Sequence, residues 1–257
     1  MGSITSQGGT HSRRIAILEC GIPPPGAHAR YGTFGAMFEA LFIQNLGTGP
    51  SEFTSEIYHV YEDNAFYPDL ENVDAILITG SKYDAYANTS WIHSLVAYTS
   101  NALKDPRIKI IGVCFGHQII GRALGAKVCV NNLGWELGIV SIDLSPTGKA
   151  LFDKDTLQQS LQLAHQDIVT SVPEGVLNIG TTPLCGVQGM YKYGKFITLQ
   201  GHPEFDEATT REIIGTRHTR NAINKPMFSD AMERASLENE GILAGSLFRR
   251  FLLSDEL

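Results

Sequence analysis

No stretch of this 257-residue chain stays apolar long enough to span a bilayer, so no transmembrane helix is expected. Positive charge is in deficit: 20 Lys and Arg stand against 27 Asp and Glu, a net charge of -7. Without a basic face, neither nucleic acid nor an anionic membrane is an expected partner. Cysteine is sparse, with Cys20, Cys114, Cys129 and Cys185 far apart and no C-x-x-C pair. A disulfide framework or a zinc site is therefore not expected, and one reactive thiol among three packed ones is. There is no P-loop or other nucleotide fingerprint, and no cofactor is expected. The first twelve residues, MGSITSQGGTHS, lack the apolar centre of a secretory signal and read as a disordered tail of a cytosolic protein. The final Ser-Asp-Glu-Leu starts with Ser where an ER-retention tag has Lys or His. No linker or internal repeat divides residues 13–257, which read as one domain with a helical extension over 206–257.

What the chain does have is alternation. Buried-strand runs at Arg14–Cys20, Ile57–Tyr61, Ala75–Thr79 and Ile108–Val113 interleave with helical patterns over Gly35–Phe42 and Ser90–Leu103. The β-α-β rhythm predicts an α/β fold, a mostly parallel sheet with helices on both faces. Short runs follow at Val128–Val130, Gly138–Leu144, Gln162–His165, Leu184–Tyr191 and Lys195–Gln200. Some of them alternate, as antiparallel edge strands do. Beyond Asp206 the chain reads as helical, ending on an apolar stripe of Leu243, Leu247, Phe248, Phe251 and Leu252.

The strand Ile108–Val113 runs straight into Gly112-Val113-Cys114-Phe115-Gly116. This is G-x-C-x-G at a strand-to-helix junction, the thiol version of a nucleophile elbow. The flanking glycines relieve crowding at a sharp, strained turn, and the N-terminus of the next helix favours thiolate over thiol. A catalytic thiol needs a base, and the base an orienter. Gln200-Gly201-His202-Pro203-Glu204 follows a strand directly: His202 is the candidate base and Glu204 the carboxylate that fixes its tautomer. Read blandly, Cys114 would be a packed cysteine between two packing glycines and His202 a satisfied turn histidine. Gln118 on the first turn after the nucleophile can donate to substrate, while His117 can brace the elbow. Trp135, Glu136 and Gly138 lie on a loop that can line the pocket, although a packing tryptophan is the commoner outcome.

Gly-Val-Cys-Phe-Gly-His-Gln together with Gln-Gly-His-Pro-Glu-Phe resembles the class I glutamine amidotransferase family over about Arg14 to Glu207. The resemblance implies a flavodoxin-like sheet, a Cys114–His202–Glu204 triad and amide hydrolysis through a γ-glutamyl thioester. It places Gly80-Ser81 where that family supplies a second oxyanion donor opposite the N–H of Phe115. Removing one such donor typically raises the barrier by about 3 kcal/mol. His165-Gln166-Asp167 matches a family pattern near the site, and fits equally a loop histidine with a turn cap.

The chain departs from the family at the oxyanion strand, with Thr79-Gly80-Ser81-Lys82-Tyr83-Asp84-Ala85-Tyr86 in place of Gly-Gly-Pro. This pattern, with Trp91-Ile92 and Gly134-Trp135-Glu136, is similar to a stand-alone branch of plant γ-glutamyl peptidases and fungal relatives. That branch implies hydrolysis of a γ-glutamyl amide, in glutamine or a glutathione-type conjugate. Two other enzyme readings stay open: the glutaminase subunit of a pair with a synthetase partner, and a tailoring hydrolase or cyclase for another acyl substrate. A redox-sensing thiol module is the non-enzymatic reading, and a base with an orienter argues against it. For the charged ends of a γ-glutamyl group, Glu136, Asp84, Arg30 and Arg122 are all candidates. The Arg217-His218-Thr219-Arg220 run reads as a solvated helix face.

Overall fold

A computed structural model describes residues 12–44, 52–154, 158–254 and 257. The tail expected over residues 1–12 lies, apart from Ser12, outside them. Eleven strands occur among the described residues: β1 (Arg13–Glu19), β2 (Phe53–His59), β3 (Ala75–Ile78), β4 (Lys109–Val113), β5 (Val128–Val130), β6 (Glu136–Leu144), β7 (Gln158–His165), β8 (Asp167–Val169), β9 (Leu177–Thr181), β10 (Gly189–Lys192) and β11 (Phe196–Leu199). Eight α-helices accompany them: α1 (Pro25–Tyr31), α2 (Phe34–Gln44), α3 (Ser90–Lys104), α4 (Phe115–Ala123), α5 (Pro146–Phe152), α6 (Glu207–Thr219), α7 (Lys225–Arg234) and α8 (Gly241–Leu253).

Nine strands form one sheet in the order β2-β1-β3-β4-β11-β10-β9-β6-β7. The run from β2 to β11 is parallel throughout, and from β11 to β7 every pairing is antiparallel. The expected α/β sheet with antiparallel edge strands is what forms. Strands buried on both faces read as continuous apolar runs, and alternate residues divide between two cores. Ile15, Ile17, Leu77, Ile111 and Val113 face α2 and α8. Ala16, Leu18, Ile76, Ile78 and Ile110 face α3 and α4. The predicted stripe of Leu247, Phe248, Phe251 and Leu252 is fully buried in the first core.

Buried lysines finish two of these helices. Lys109 donates from Nζ to the carbonyls of Phe251 (2.7 Å) and Ser254. Lys195 donates to those of Ala102 and Ile108 (2.7 Å each) and of Asp105. Both cations thus satisfy the orphan carbonyls at a negative helix end.

Three local expectations are corrected. The Gly/Pro-rich stretch after β1, for which no helix was expected, contains the short helix α1, started by Pro25 where its missing N–H costs no bond. The strand read over Leu184–Tyr191 begins only at Gly189, because a turn precedes it. Thr182 N–H bonds Cys185 O (2.9 Å), and Cys185 N–H bonds Thr182 Oγ1 (3.0 Å). Strand β9 was not expected at all.

Although β7 is last in the sheet order, it bridges His202, three residues past the end of β11. His202 N–H bonds Gln162 O at 2.8 Å. A Cβ on Gly201 would lie 2.9 Å from Leu161 Cβ, so this close approach needs glycine. The antiparallel half therefore curls back over the carboxyl ends of the parallel strands, where sheets of this kind place their ligands.

Candidate active site

Cys114 caps α4 with φ 51° and ψ −101°, a left-handed backbone that costs a non-glycine residue on the order of 1–3 kcal/mol. The turn is held by Cys114 N–H to Leu199 O (2.8 Å) and by Gln118 N–H to Cys114 O (3.1 Å). Both elbow glycines are required by space. A Cβ on Gly116 would meet Ile78 O at 2.2 Å, and one on Gly112 would meet Gly116 O at 2.8 Å. Helix α4 thus starts in backbone contact with β3, and its first N–H groups sit beside the thiol.

His202 and Cys114 are both buried and flank the same glycine, Gly80. The His202 ring nitrogen Nδ1 lies 2.7 Å from Glu204 Oε1. Phe205 stacks flat on the imidazole, with centroids 3.9 Å apart and planes 5° from parallel. Gly80 closes the opposite side, where a Cβ would stand 2.7 Å from His202 Cε1 and 3.8 Å from Cys114 Cβ. Gly80 is thus a close-approach glycine. Burial opposes charge on His202, but Glu204 and Cys114 outweigh it and raise the imidazole well above its usual range. Glu204→Gln is expected to move the Cε1–H titration midpoint of His202 to lower pH, in NMR spectra assigned against His202→Asn. An unmoved midpoint would show that the carboxylate does not set this charge.

The thiol opens into a cleft of about 190 Å³, small beside the roughly 300–1,000 Å³ of drug-sized ligand sites. Ser81, Phe115, Gln118, Trp135 and His165 all line it. Several are already engaged with protein. Ser81 Oγ donates to Cys20 O (2.6 Å), stapling its loop to the end of β1. Gln118 Nε2 donates to Asp167 O (2.9 Å) and Gln200 Oε1 (3.0 Å), which uses both its amide hydrogens. His165 presents Nδ1 to Asp167 O (3.1 Å) and Nε2 to Glu136 Oε2 (3.2 Å). His117 lies fully buried, 2.8 Å from Thr198 Oγ1. Burial, then His165, pushes its pKa down to about 3, so it is a neutral brace.

Three candidates for the charged ends of a substrate are engaged elsewhere. Glu136 is 4% exposed and accepts from Thr182 Oγ1 (2.7 Å) and Gln188 Nε2 (2.8 Å). Burial raises its carboxyl, but His165, Thr182 and Gln188 outweigh that and hold it below the usual range. Arg122 donates to the carbonyls of Ala85 (2.6 Å) and Ala87 (3.2 Å). Arg30 binds Thr209 and Asp206, outside the cleft. Asp84 does line the cleft, together with Asp167 and Arg217.

The expectation of a solvated face at 217–220 is corrected for two residues. Arg217 lines the cleft with its guanidinium 4.8 Å from the Trp135 ring centroid, and His218 stacks on Phe228. All four cysteines are free, and burial pushes the Cys20 and Cys185 thiols up, the latter to about 12. Among the described residues no group of three or more His, Cys, Asp or Glu could hold a metal ion, and no helix is long and apolar enough to cross a membrane.

The family model for glutamine amidotransferase class-I matches residues 40–218. The chain belongs to this family. A glutamine amidotransferase-like protein of Schizosaccharomyces pombe is 31% identical over 249 residues, covering 93% of this chain and 98% of its own. Gamma-glutamyl peptidase 3 of Arabidopsis thaliana is 30% identical over 191 residues, covering 71% and 74%. A glutamine amidotransferase from Thermotoga maritima, at 20% identity, superposes with a TM-score of 0.72 over 95% of this chain and all of its own, and shares the fold. Family and relatives together mark the protein as a hydrolase- or amidotransferase-like enzyme.

Proposed function

We propose that the protein hydrolyses a γ-glutamyl amide, in glutamine or a glutathione-type conjugate, through a thioester on Cys114. The observation that carries this reading is the buried line Cys114–His202–Glu204 at the mouth of a small cleft. Cys114 Sγ attacks the γ-carbonyl carbon. The oxyanion forms beside the N–H of Phe115 and an N–H of the Gly80–Ser81 turn, where fixed donors act most strongly on developing charge. The C–N bond then breaks as His202 passes its proton to the leaving amine. Water enters, His202 takes a proton from it, and hydroxide displaces the thiolate to release the γ-carboxylate. Glu204 holds the imidazole in register and favours its cationic form before the first proton transfer and after the second, and Phe205 keeps its plane fixed.

Similarity to the Arabidopsis gamma-glutamyl peptidases supports the γ-glutamyl choice. The test is the intact mass of the protein after brief exposure to glutamine, glutathione or a glutathione conjugate. A gain of one glutamyl group is expected with at least one of them, and none in Cys114→Ala. Absence of both adduct and released glutamate with all three would overturn the reading.

A further inference from the structure

Among the described residues, Arg217, Asp84 and Asp167 line the cleft with no side-chain hydrogen bond or ion pair. Arg217 reaches in from α6 and lies over Trp135. Among the described residues its guanidinium makes no hydrogen bond and no ion pair within 4.0 Å. A planar fork of donors, half-buried and with no hydrogen-bonded partner among the described residues, matches a carboxylate in shape and charge. Asp84, from the loop after β3, and Asp167, on β8, line the same space. Neither side chain makes a hydrogen bond or ion pair among the described residues.

We infer that this cleft holds the α-amino-acid end of the substrate, with Arg217 taking the α-carboxylate and Asp84 with Asp167 taking the α-ammonium. The inference rests on the γ-glutamyl reading and names the groups that would select it. Two like charges facing one cavity call for a cation between them. Burial, then Asp84, raises the Asp167 carboxyl to about 6, and an ammonium would relieve both causes. The opposite charges do not neutralise each other directly, since no Arg217 nitrogen lies within 4.0 Å of either carboxylate. A zwitterion can sit between them. The volume of about 190 Å³ suits one amino-acid unit, leaving the amine portion outside. Lys82 lines the cleft as well, exposed and with its ammonium over the Tyr83 ring, where that contact and solvent already serve its charge.

Three 4-nitroanilides with the same leaving group test this: γ-glutamyl, glutaryl (no α-amino group) and 4-aminobutanoyl (no α-carboxylate). Arg217→Gln is expected to raise KM on the order of 30-fold for the γ-glutamyl and glutaryl compounds, with kcat little changed, and to leave the 4-aminobutanoyl compound unaffected. Asp167→Asn should show the mirror pattern, penalising the two compounds that carry the amine and sparing the glutaryl one. Equal penalties on all three substrates, or none, in both variants would overturn the assignment. Failure of the wild type to release nitroaniline from any of the three would count against γ-glutamyl hydrolysis itself. The subsite is then read by calorimetry of L-glutamine binding to Cys114→Ser, which Arg217→Gln should weaken by a similar factor. No binding to Cys114→Ser, or binding that Arg217→Gln leaves unchanged, would overturn it.

Discussion

Cys114→Ala is expected to lower kcat for γ-glutamyl release by about 10⁵–10⁶-fold, the scale seen when the nucleophile of a triad is removed. The loss should fall on kcat and leave substrate binding nearly intact, because the charged groups of the cleft are untouched. The measurement is single-turnover release of glutamate, paired with calorimetric binding of the unreacted substrate. Little change in fold is expected either. The alanine keeps the Cys114 backbone, and the N–H to Leu199 O bond that holds the turn does not involve sulfur. A variant with turnover within tenfold of wild type would remove Cys114 from the chemistry.

Gly116→Ala is expected to act through stability. The new methyl would stand 2.2 Å from Ile78 O and 2.8 Å from Ile78 C, both backbone atoms of a strand buried on both faces. Neither a flexible side chain nor a local cavity can absorb it, so α4 must move away from β3. Overpacking of this kind costs about 3 kcal/mol or more, or about 6–12 °C in Tm for a chain of this size. Any protein that still folds should also lose activity, because the movement carries Cys114 and the first N–H groups of α4 out of line with His202. A Tm within 2 °C of wild type, roughly under 1 kcal/mol, would show that this contact is not tight.

The parallel half was readable because its strands are covered on both faces and show as unbroken apolar runs, Ala75–Ile78 and Lys109–Val113 among them. The elbow and the His-Pro-Glu turn were readable for a different reason: steric demand and hydrogen bonding there act between residues a few positions apart. Where placement depends on distant packing, the residues themselves were silent. Helix α1 has seven residues, too few for a period to show. Strand β9 contains Gly180, which reads as a break; it is there because a Cβ would meet Asp143 O at 2.9 Å.

Arg217 is the plainest omission. Its neighbours His218, Thr219 and Arg220 are polar, so nothing local distinguishes it from a solvated face. Its position follows from α6, whose Ile214 packs in one cluster with Leu137 and Trp135. A long cationic side chain beside a loop tryptophan was the only available signal. Glu136 shows the opposite case. It looked suitable for an ammonium, but Thr182 and Gln188, both more than forty positions downstream in the sequence, had already filled its oxygens.

The bridge from Gln162 to His202 joins the outermost strand of the sheet to the backbone that carries the imidazole. Loosening of that hairpin would therefore be felt at the proton shuttle before it reached the thiol. An enzyme built this way cannot keep a working base while its outer strands fray, so catalytic competence is tied to closure of the whole curl. Its turnover is a gauge of the integrity of the fold's least protected margin.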